Sequence, residues 1–210
     1  SSLHLKENYH SQLNLFNIEK ENEECKTRLL INELNRKIDK DLFMTLKDYH
    51  NCLSFLEWED IYKFRDNQSL NDFKEKHFES INFWKFTQYY FFKQWNDLRV
   101  YANSKGIKII GDMPIYTALD SSDVWASPNL FQLGSDLKPK LVAGCPADDF
   151  APLGQLWGNP LYDYKAMKET NYAWWVRRVE VSIKLFDTIR IDHFRGFEAY
   201  FAIPASDSDA

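Results

Sequence analysis

The stretch T-I-R-I-D-H-F-R-G, residues 188–196, decides the fold of this chain. Its alternation over residues 188–193 favours a β-strand, in which successive side chains point to opposite faces. The two faces carry these residues: Ile189, Ile191 and His193 on one, and Thr188, Arg190 and Asp192 on the other. A buried charge without a partner is very costly. A strand face with Arg190 and Asp192 therefore requires a polar cavity.

Arg190 and Asp192 lie one pleat apart on that face. A neighbouring cation keeps a carboxylate ionised and oriented, and a fixed, ionised carboxylate is what a catalytic nucleophile must be. The alternative is a structural ion pair that closes the end of a barrel. The strand alone leaves both interpretations open.

Glycine and proline divide the chain into two parts. All seven glycines and all seven prolines lie at Gly106 or later, so residues 1–105 are expected to be almost entirely helical, with polar turns between helices. Residues 64–71 are predicted to form a turn, with Ser69 or Asn71 as the cap of the next helix.

That next helix is predicted from about Asp72 to Ser104, and Gly106 provides its stop. An apolar stripe runs along it at spacings of three to five residues: Phe83, Phe86, Tyr90, Trp95 and Leu98. A partner-binding surface is one interpretation of the stripe. We favour ordinary core packing, because a strand follows at once.

The second part of the chain has the order strand, long loop, helix, strand. Residues 107–112 (I-K-I-I-G-D) predict a short strand covered on both faces. Residues 113–164 are predicted to be a long irregular stretch, and a loop of this length inside a domain is usually functional. A helix from about Tyr172 to Phe186 leads into the strand at residues 188–193. This order indicates an α/β fold with a parallel sheet.

In parallel β/α folds the functional residues gather at the C-terminal ends of the strands. Both predicted strands end in a carboxylate there, Asp112 on the first and Asp192 on the second. We therefore expect the site to lie at this end of the sheet.

The long stretch adds candidate binding residues. Gln155 and Trp157 stand among glycines in G-Q-L-W-G-N-P-L-Y, residues 154–162. An aromatic face with an amide group suits a sugar ring, although a tight turn anchored by the tryptophan is the alternative. Asp148 and Asp149 follow Pro146, and we expect Asp149 to be solvated.

Composition excludes several classes of protein. A net charge of −5 over 210 residues argues against sequence-independent binding of nucleic acid, which needs a basic face. No apolar run approaches the roughly 18 residues of a membrane span. Cys25, Cys52 and Cys145 are odd in number and widely spaced, so neither a disulfide framework nor a zinc cluster is indicated. We expect a cytoplasmic location, no metal, no cofactor, and no nucleic-acid or membrane partner.

A set of motifs resembles a known family. They are G-D-M-P-I-Y, D-S-S-D-V-W-A-S-P-N-L-F-Q-L, V-A-G-C-P-A-D-D-F, G-Q-L-W-G-N-P-L-Y, A-W-W and R-I-D-H-F-R-G-F-E-A-Y. In this order and spacing, over roughly residues 88–204, they resemble the 4-α-glucanotransferases. These are the amylomaltases or disproportionating enzymes of glycoside hydrolase family 77, within the α-amylase superfamily.

The resemblance implies a partial TIM (β/α)8 barrel, with the two strands as its third and fourth. Residues 1–70 look like the family's helical subdomain, although no motif supports this assignment. Residues 71–210 then form part of the catalytic domain, with residues 113–164 as its long active-site loop. The implied reaction is a retaining transfer of α-1,4-glucan segments between maltodextrins. Oligomeric state is left open.

The resemblance also assigns roles to residues. Asp192 falls on the nucleophile that forms a covalent glycosyl-enzyme, and Arg190 on the arginine that supports it. The remaining positions fall on sugar-binding residues: Asp112 near the shared sugar subsite, Asp148, Gln155 and Trp157 on a loop over the donor and acceptor sugars, and His193 beside the nucleophile. A packing role for His193 is an equal alternative.

The family's acid/base glutamate and third carboxylate are expected after residue 210, and its first barrel strands before Ser1. Half of a catalytic pair does not work as a pair, so this chain alone is expected to be inactive. Two other functions stay open for the whole protein. One is an α-glucan hydrolase of the same superfamily, and the other is a non-catalytic glucan-binding protein.

Overall fold

The computed structural model describes residues 40–149 and 151–208. The chain is divided into two compact units, Ser1–Lys105 and Gly106–Ala210. Among the described residues, no helix is long and apolar enough to cross a membrane. Cys52 and Cys145 are free thiols, and Cys25 lies outside the described residues.

The described part of the first unit is helical, which confirms the expectation for residues 40–105. Its elements are α1 (Lys40–Tyr49), a 3-10 turn (Phe55–Glu57), α2 (Asp60–Lys63), α3 (Asn67–Lys76) and α4 (Phe78–Ser104). Apolar side chains fill its core, and Leu46 and Phe55 are completely buried. The predictions for residues 1–39 lie outside the described residues.

The helix predicted from about Asp72 to Ser104 is in fact two helices, α3 and α4, with His77 between them. The predicted cap was also wrong. Asp66 caps α3, because its carboxylate accepts a hydrogen bond of 2.8 Å from the backbone N–H of Ser69. Ser69 lies inside the first turn, where its own N–H still needs an acceptor.

The apolar stripe of α4 is buried only at its start and becomes more exposed along the helix. Phe83 is buried, whereas Leu98 is 54% exposed. Trp84 and Asp48 connect α4 with α1 through a hydrogen bond of 3.1 Å between the indole N–H and the carboxylate. Gly106 adopts a φ of +77° after the helix, which confirms it as the stop.

The second unit contains the predicted parallel strand pair, but one face of the first strand is exposed rather than covered, and the second strand ends at Ile191 rather than at residue 193. Strand β1 (Ile110–Met113) pairs in parallel with a strand at Thr188–Ile191, and Asp112 stands directly opposite Arg190. The helix predicted before the second strand is confirmed at Ala173–Leu185, and it contacts both strands. A parallel pair needs such a crossover connection.

Residues 113–164 are more ordered than predicted. They contain the strands β2 (Leu141–Cys145) and β3 (Gln155–Pro160) and the helix α5 (Ser122–Ala126), and a further helix, α6 (Tyr164–Glu169), begins at their end. We number the later elements α7 (Ala173–Leu185), β4 (Thr188–Ile191) and β5 (Phe201–Pro204).

A second, antiparallel sheet explains this difference. Its strand order is β3-β2-β5, so the central strand pairs with a segment far along the chain. Gly144 and Pro160 interrupt the local strand pattern, and both residue types are poor strand formers. Tertiary pairing, which no local window contains, makes these segments strands.

Candidate active site

Arg190 and Asp112 form an ion pair across the two parallel strands. The Nε of Arg190 donates to Oδ1 of Asp112 at 3.1 Å, and a terminal guanidinium nitrogen contacts Oδ2. Both side chains are exposed, and the hydrogen bonds to Asp112 raise the pKa of Arg190 above its ordinary value. The carboxylate that Arg190 orients in this structure is therefore Asp112 rather than Asp192.

Asp192 follows directly after β4 and is exposed, rather than lying within the strand on a face that lines a polar cavity, as predicted. Its backbone N–H donates to the carbonyl of Met113 at 3.2 Å, which ties it to the end of β1. Among the described residues no side chain donates to its carboxylate. Asp192 is thus fixed through its backbone, while its carboxylate stays exposed at the strand ends.

His193 has the left-handed backbone conformation, with φ 49° and ψ 44°. Its ring meets Trp157 edge to face, with 5.1 Å between ring centroids, and its Nε2 is buried without a hydrogen-bond partner among the described residues. Gly196 accommodates this ring, because a Cβ there would lie 2.8 Å from Cδ2 of His193. The turn after β4 thus directs His193 towards Trp157.

Gln155 and Trp157 lie on β3 and point to the same side. The indole N–H of Trp157 donates to the amide oxygen of Gln155 at 2.9 Å. Trp157 is 36% exposed, so part of its ring stays accessible while its edge contacts His193. The structure therefore brings Trp157, Gln155 and His193 together.

Asp148 organises the turn before β3. Its carboxylate accepts from the backbone N–H of Ala151 at 2.7 Å, and its own N–H donates to the carbonyl of Ala151 at 3.1 Å. Asp149 is exposed, as predicted. The structure thus gives Asp148 a turn-forming contact, and a sugar contact for it stays a prediction.

Tyr116, which sequence reasoning passed over, belongs to this group. It is 8% exposed, and its ring centroid lies 6.2 Å from that of Trp157 and 6.4 Å from that of His193. Burial raises the pKa of Tyr116 to about 12, so its hydroxyl is a neutral donor at ordinary pH. That hydroxyl has no hydrogen-bond partner among the described residues. The sequence feature that could have identified Tyr116 is its position in the motif G-D-M-P-I-Y, shortly after the first strand.

Gly144 is another residue that matters for the site although the sequence pattern gave it no role. A Cβ at this position would lie 2.4 Å from the backbone oxygen of Gln155 and 2.1 Å from Cδ1 of Ile203. Glycine is therefore required for β3 and β5 to approach β2 this closely. It places Gln155, and with it Trp157, beside the strand ends.

Within residues 40–149 and 151–208 no group of three or more His, Cys, Asp or Glu side chains is arranged to bind a metal ion. The polar groups at the site are carboxylates, a guanidinium, an amide, an imidazole and a phenol, and they alternate with aromatic faces. Such a mixture suits a neutral polyhydroxylated ligand, whose ring has an apolar face and a rim of hydroxyls.

Comparison with known proteins agrees with this chemistry. The family model described as 4-alpha-glucanotransferase matches residues 12–210. The chain is 50% identical over 173 residues to the 4-alpha-glucanotransferase of Clostridium butyricum, covering 82% of this chain and 36% of that protein. It is 41% identical over 172 residues to the chloroplastic/amyloplastic 4-alpha-glucanotransferase of Solanum tuberosum, covering 82% and 30%.

A solved structure agrees as well. An amylomaltase from Streptococcus agalactiae, determined in complex with acarbose, superposes with a TM-score of 0.79 at 42% identity. The match covers 87% of this chain and 38% of that one. The chain thus spans about a third of the length of the relatives it matches. Because the family model matches nearly the whole length of the chain, the chain belongs to glycoside hydrolase family 77, the 4-alpha-glucanotransferase family.

Proposed function

We propose that the whole protein is a retaining 4-α-glucanotransferase that transfers α-1,4-glucan segments between maltodextrins. The observation that carries the proposal is the arrangement at the parallel strand ends. Arg190 is engaged by Asp112, and this leaves the carboxylate of Asp192 exposed beside the contact between His193 and Trp157. Family membership supports the same reaction.

In the proposed reaction, a carboxylate oxygen of Asp192 attacks the anomeric carbon of the donor. A bond from C1 to this oxygen forms while the glycosidic C1–O4 bond breaks, and a second carboxylic acid protonates the departing O4. A hydroxyl oxygen of the acceptor sugar then attacks C1, the bond from C1 to Asp192 breaks, and the second group, now a carboxylate, takes the proton of that hydroxyl. The second carboxyl group, a glutamate by resemblance to the family, is expected after residue 210.

The neighbouring groups suit the recognition of sugar rings. The exposed part of the Trp157 indole can cover the C–H face of a glucose unit. The buried Nε2 of His193 and hydroxyl of Tyr116 have no hydrogen-bond partner within residues 40–149 and 151–208, and sugar hydroxyls could satisfy both. Asp112, Asp148 and Gln155 complete the proposed set of sugar-binding residues.

The parallel pair of β1 and β4, with α7 on it, is consistent with strands 3 and 4 of a TIM barrel. Residues 1–70 are assigned to a helical subdomain and residues 71–210 to the catalytic domain. We also propose a cytoplasmic location and catalysis without a cofactor. This chain by itself is expected to lack activity, because the acid/base carboxylate is outside it.

The test is the product pattern of the full-length protein on maltotriose. A transferase gives glucose together with oligosaccharides longer than the substrate. A hydrolase gives glucose and maltose only, and a glucan-binding protein gives binding without turnover. Either of these two patterns would contradict the proposed activity.

The inactivity of this chain requires a separate assay. The purified 210-residue chain is incubated with maltotriose beside the full-length protein, after circular dichroism has shown that it is folded. We expect no disproportionation. Longer oligosaccharides in that sample would show that no carboxylate beyond residue 210 is needed.

A further inference from the structure

Arg178, on α7, binds the loop that follows β1. One terminal nitrogen donates to the carbonyl of Ile115 at 3.0 Å and lies 3.3 Å from the hydroxyl of Tyr162. The other terminal nitrogen donates to the carbonyl of Pro114. A single guanidinium therefore fixes two consecutive carbonyls, a geometry that needs its planar arrangement of donors.

Two tryptophans of the same helix fix the guanidinium itself. Its central carbon lies 5.2 Å from the ring centroids of both Trp174 and Trp175, within range of a cation–π interaction. Trp175 is buried, and the indole N–H of Trp174 donates to Asp123 at 3.1 Å. All the described contacts of Arg178 are with neutral groups, so its charge serves to orient carbonyls rather than to pair with a carboxylate.

The loop that Arg178 binds leads directly to the candidate site. The carbonyl of Ile115 also accepts a hydrogen bond of 2.7 Å from Tyr162, so two donors fix this one oxygen. The next residue, Tyr116, packs near His193 and Trp157. A displacement of this loop would therefore move the ring that supports both.

We infer that Arg178 is a positioning residue for the transfer reaction, acting through Pro114, Ile115 and Tyr116 on the contact between His193 and Trp157. This inference rests on the proposed function. His193 follows Asp192, and Trp157 provides the aromatic face, so a looser loop exposes the glycosyl intermediate to water. Arg178 itself contacts neither Asp192 nor Asp112.

The experiment compares Arg178→Met, Arg178→Lys and a control, Lys168→Met, in the full-length protein with maltotriose. Lys168 lies exposed on α6, and its side chain makes no hydrogen bond or ion pair in the described structure. The readout is the ratio of hydrolysis to transfer, together with the KM. The ratio of hydrolysis to transfer does not depend on how much of the enzyme is folded. If Arg178 had only a structural role, its replacement would lower the amount of active protein and leave this ratio unchanged.

We expect Arg178→Met to raise the hydrolysis-to-transfer ratio by at least about threefold, because shielding of the intermediate from water is impaired. Arg178→Lys should give a smaller increase, since an ammonium group cannot donate to both carbonyls in the same geometry. Lys168→Met should keep the wild-type ratio. An unchanged ratio and KM in Arg178→Met would overturn the inference, whatever its yield.

If Arg178→Met does not fold, Arg178→Lys decides by the same readout, and a wild-type ratio there overturns the inference. A wild-type protein that makes no transfer products would contradict the proposed function instead. The two failures are thus distinguishable.

Discussion

Arg190 bridges to Asp112, its register partner on the neighbouring strand. Adjacent strands lie about 4.8 Å apart, whereas residues two apart on one strand are separated by about 6.6 Å. The cross-strand carboxylate is therefore the nearer one. The pair joins the C-terminal ends of β1 and β4, and the carboxylate of Asp192 stays exposed next to it, with no hydrogen bond from a described side chain.

Arg190→Lys in the full-length protein should lower kcat by at least about tenfold, because lysine cannot bond both oxygens of Asp112 in parallel. Stability should change little, because both partners are exposed. The measurement is steady-state kinetics on maltotriose with a thermal unfolding midpoint.

A double-mutant cycle with Asp112→Asn provides the control. If the pair acts as a unit, the double variant should be about as impaired as either single variant. Additive losses would show that the two side chains contribute separately.

Asp192→Asn in the full-length protein should abolish turnover while glucan binding persists, because an amide cannot act as the nucleophile. Turnover is measured with maltotriose and binding by calorimetry with a longer maltodextrin. Asp149→Asn is the matched control, since Asp149 is an exposed carboxylate of the loop before β3. Wild-type turnover of Asp192→Asn would remove this residue from the mechanism.

Gly144→Ala should destabilise the antiparallel sheet by about 1–3 kcal/mol, the usual effect of overpacking. The added methyl group meets the backbone oxygen of Gln155, which cannot move without shifting β3. Activity should fall as well, since Gln155 and Trp157 shift with that strand.

Gly134→Ala is the control for that variant, because the nearest atom there belongs to the flexible side chain of Asp136. Both variants are compared by urea unfolding and by transfer rate. Equal behaviour of the two would contradict a special requirement for glycine at position 144.

Tyr116, which is buried, and Tyr164, which is half-buried, predict a loss of stability at alkaline pH. Burial raises the pKa of both Tyr116 and Tyr164 to about 12, whereas an unfolded tyrosine titrates near 10. Their contribution is thus fully present below about pH 10 and decreases up to about pH 12. The slope is at most about 1.4 kcal/mol per pH unit for each tyrosine.

Urea unfolding between pH 9 and 11 measures this slope. The range is centred on the ordinary tyrosine pKa of about 10, at which the unfolded chain begins to lose these protons. Tyr116→Phe should flatten the decrease, since phenylalanine keeps the ring and removes the titrating hydroxyl. Tyr101→Phe, at an exposed position, should not alter it. A wild-type slope in Tyr116→Phe would show that this hydroxyl does not resist ionisation.

Several elements of both units could be predicted from the local sequence. The alternation of residues 188–191 correctly separated Arg190 from Ile189 and Ile191, which are partly buried. The strand ends at Ile191 rather than at residue 193, and Arg190 and Asp192 are exposed rather than enclosed in a polar cavity. The lack of glycine and proline over residues 1–105 predicted helices, which residues 40–105 form, and Gly106 follows α4 as its stop. These features depend on backbone preferences and on the period of two or 3.6 residues, which neighbouring residues are enough to set.

Other features depend on contacts between distant residues. The sequence by itself determined that Arg190 and Asp192 share a face, but the register of β4 on β1 decided that Arg190 binds Asp112. Likewise, the pairing of β2 with β5 made strands of segments that locally read as loop. Tertiary packing also brought Tyr116, His193 and Trp157 together. Periodicity encodes which way a side chain points, whereas its partner depends on which distant strand lies beside it, and that is settled only when the whole unit folds.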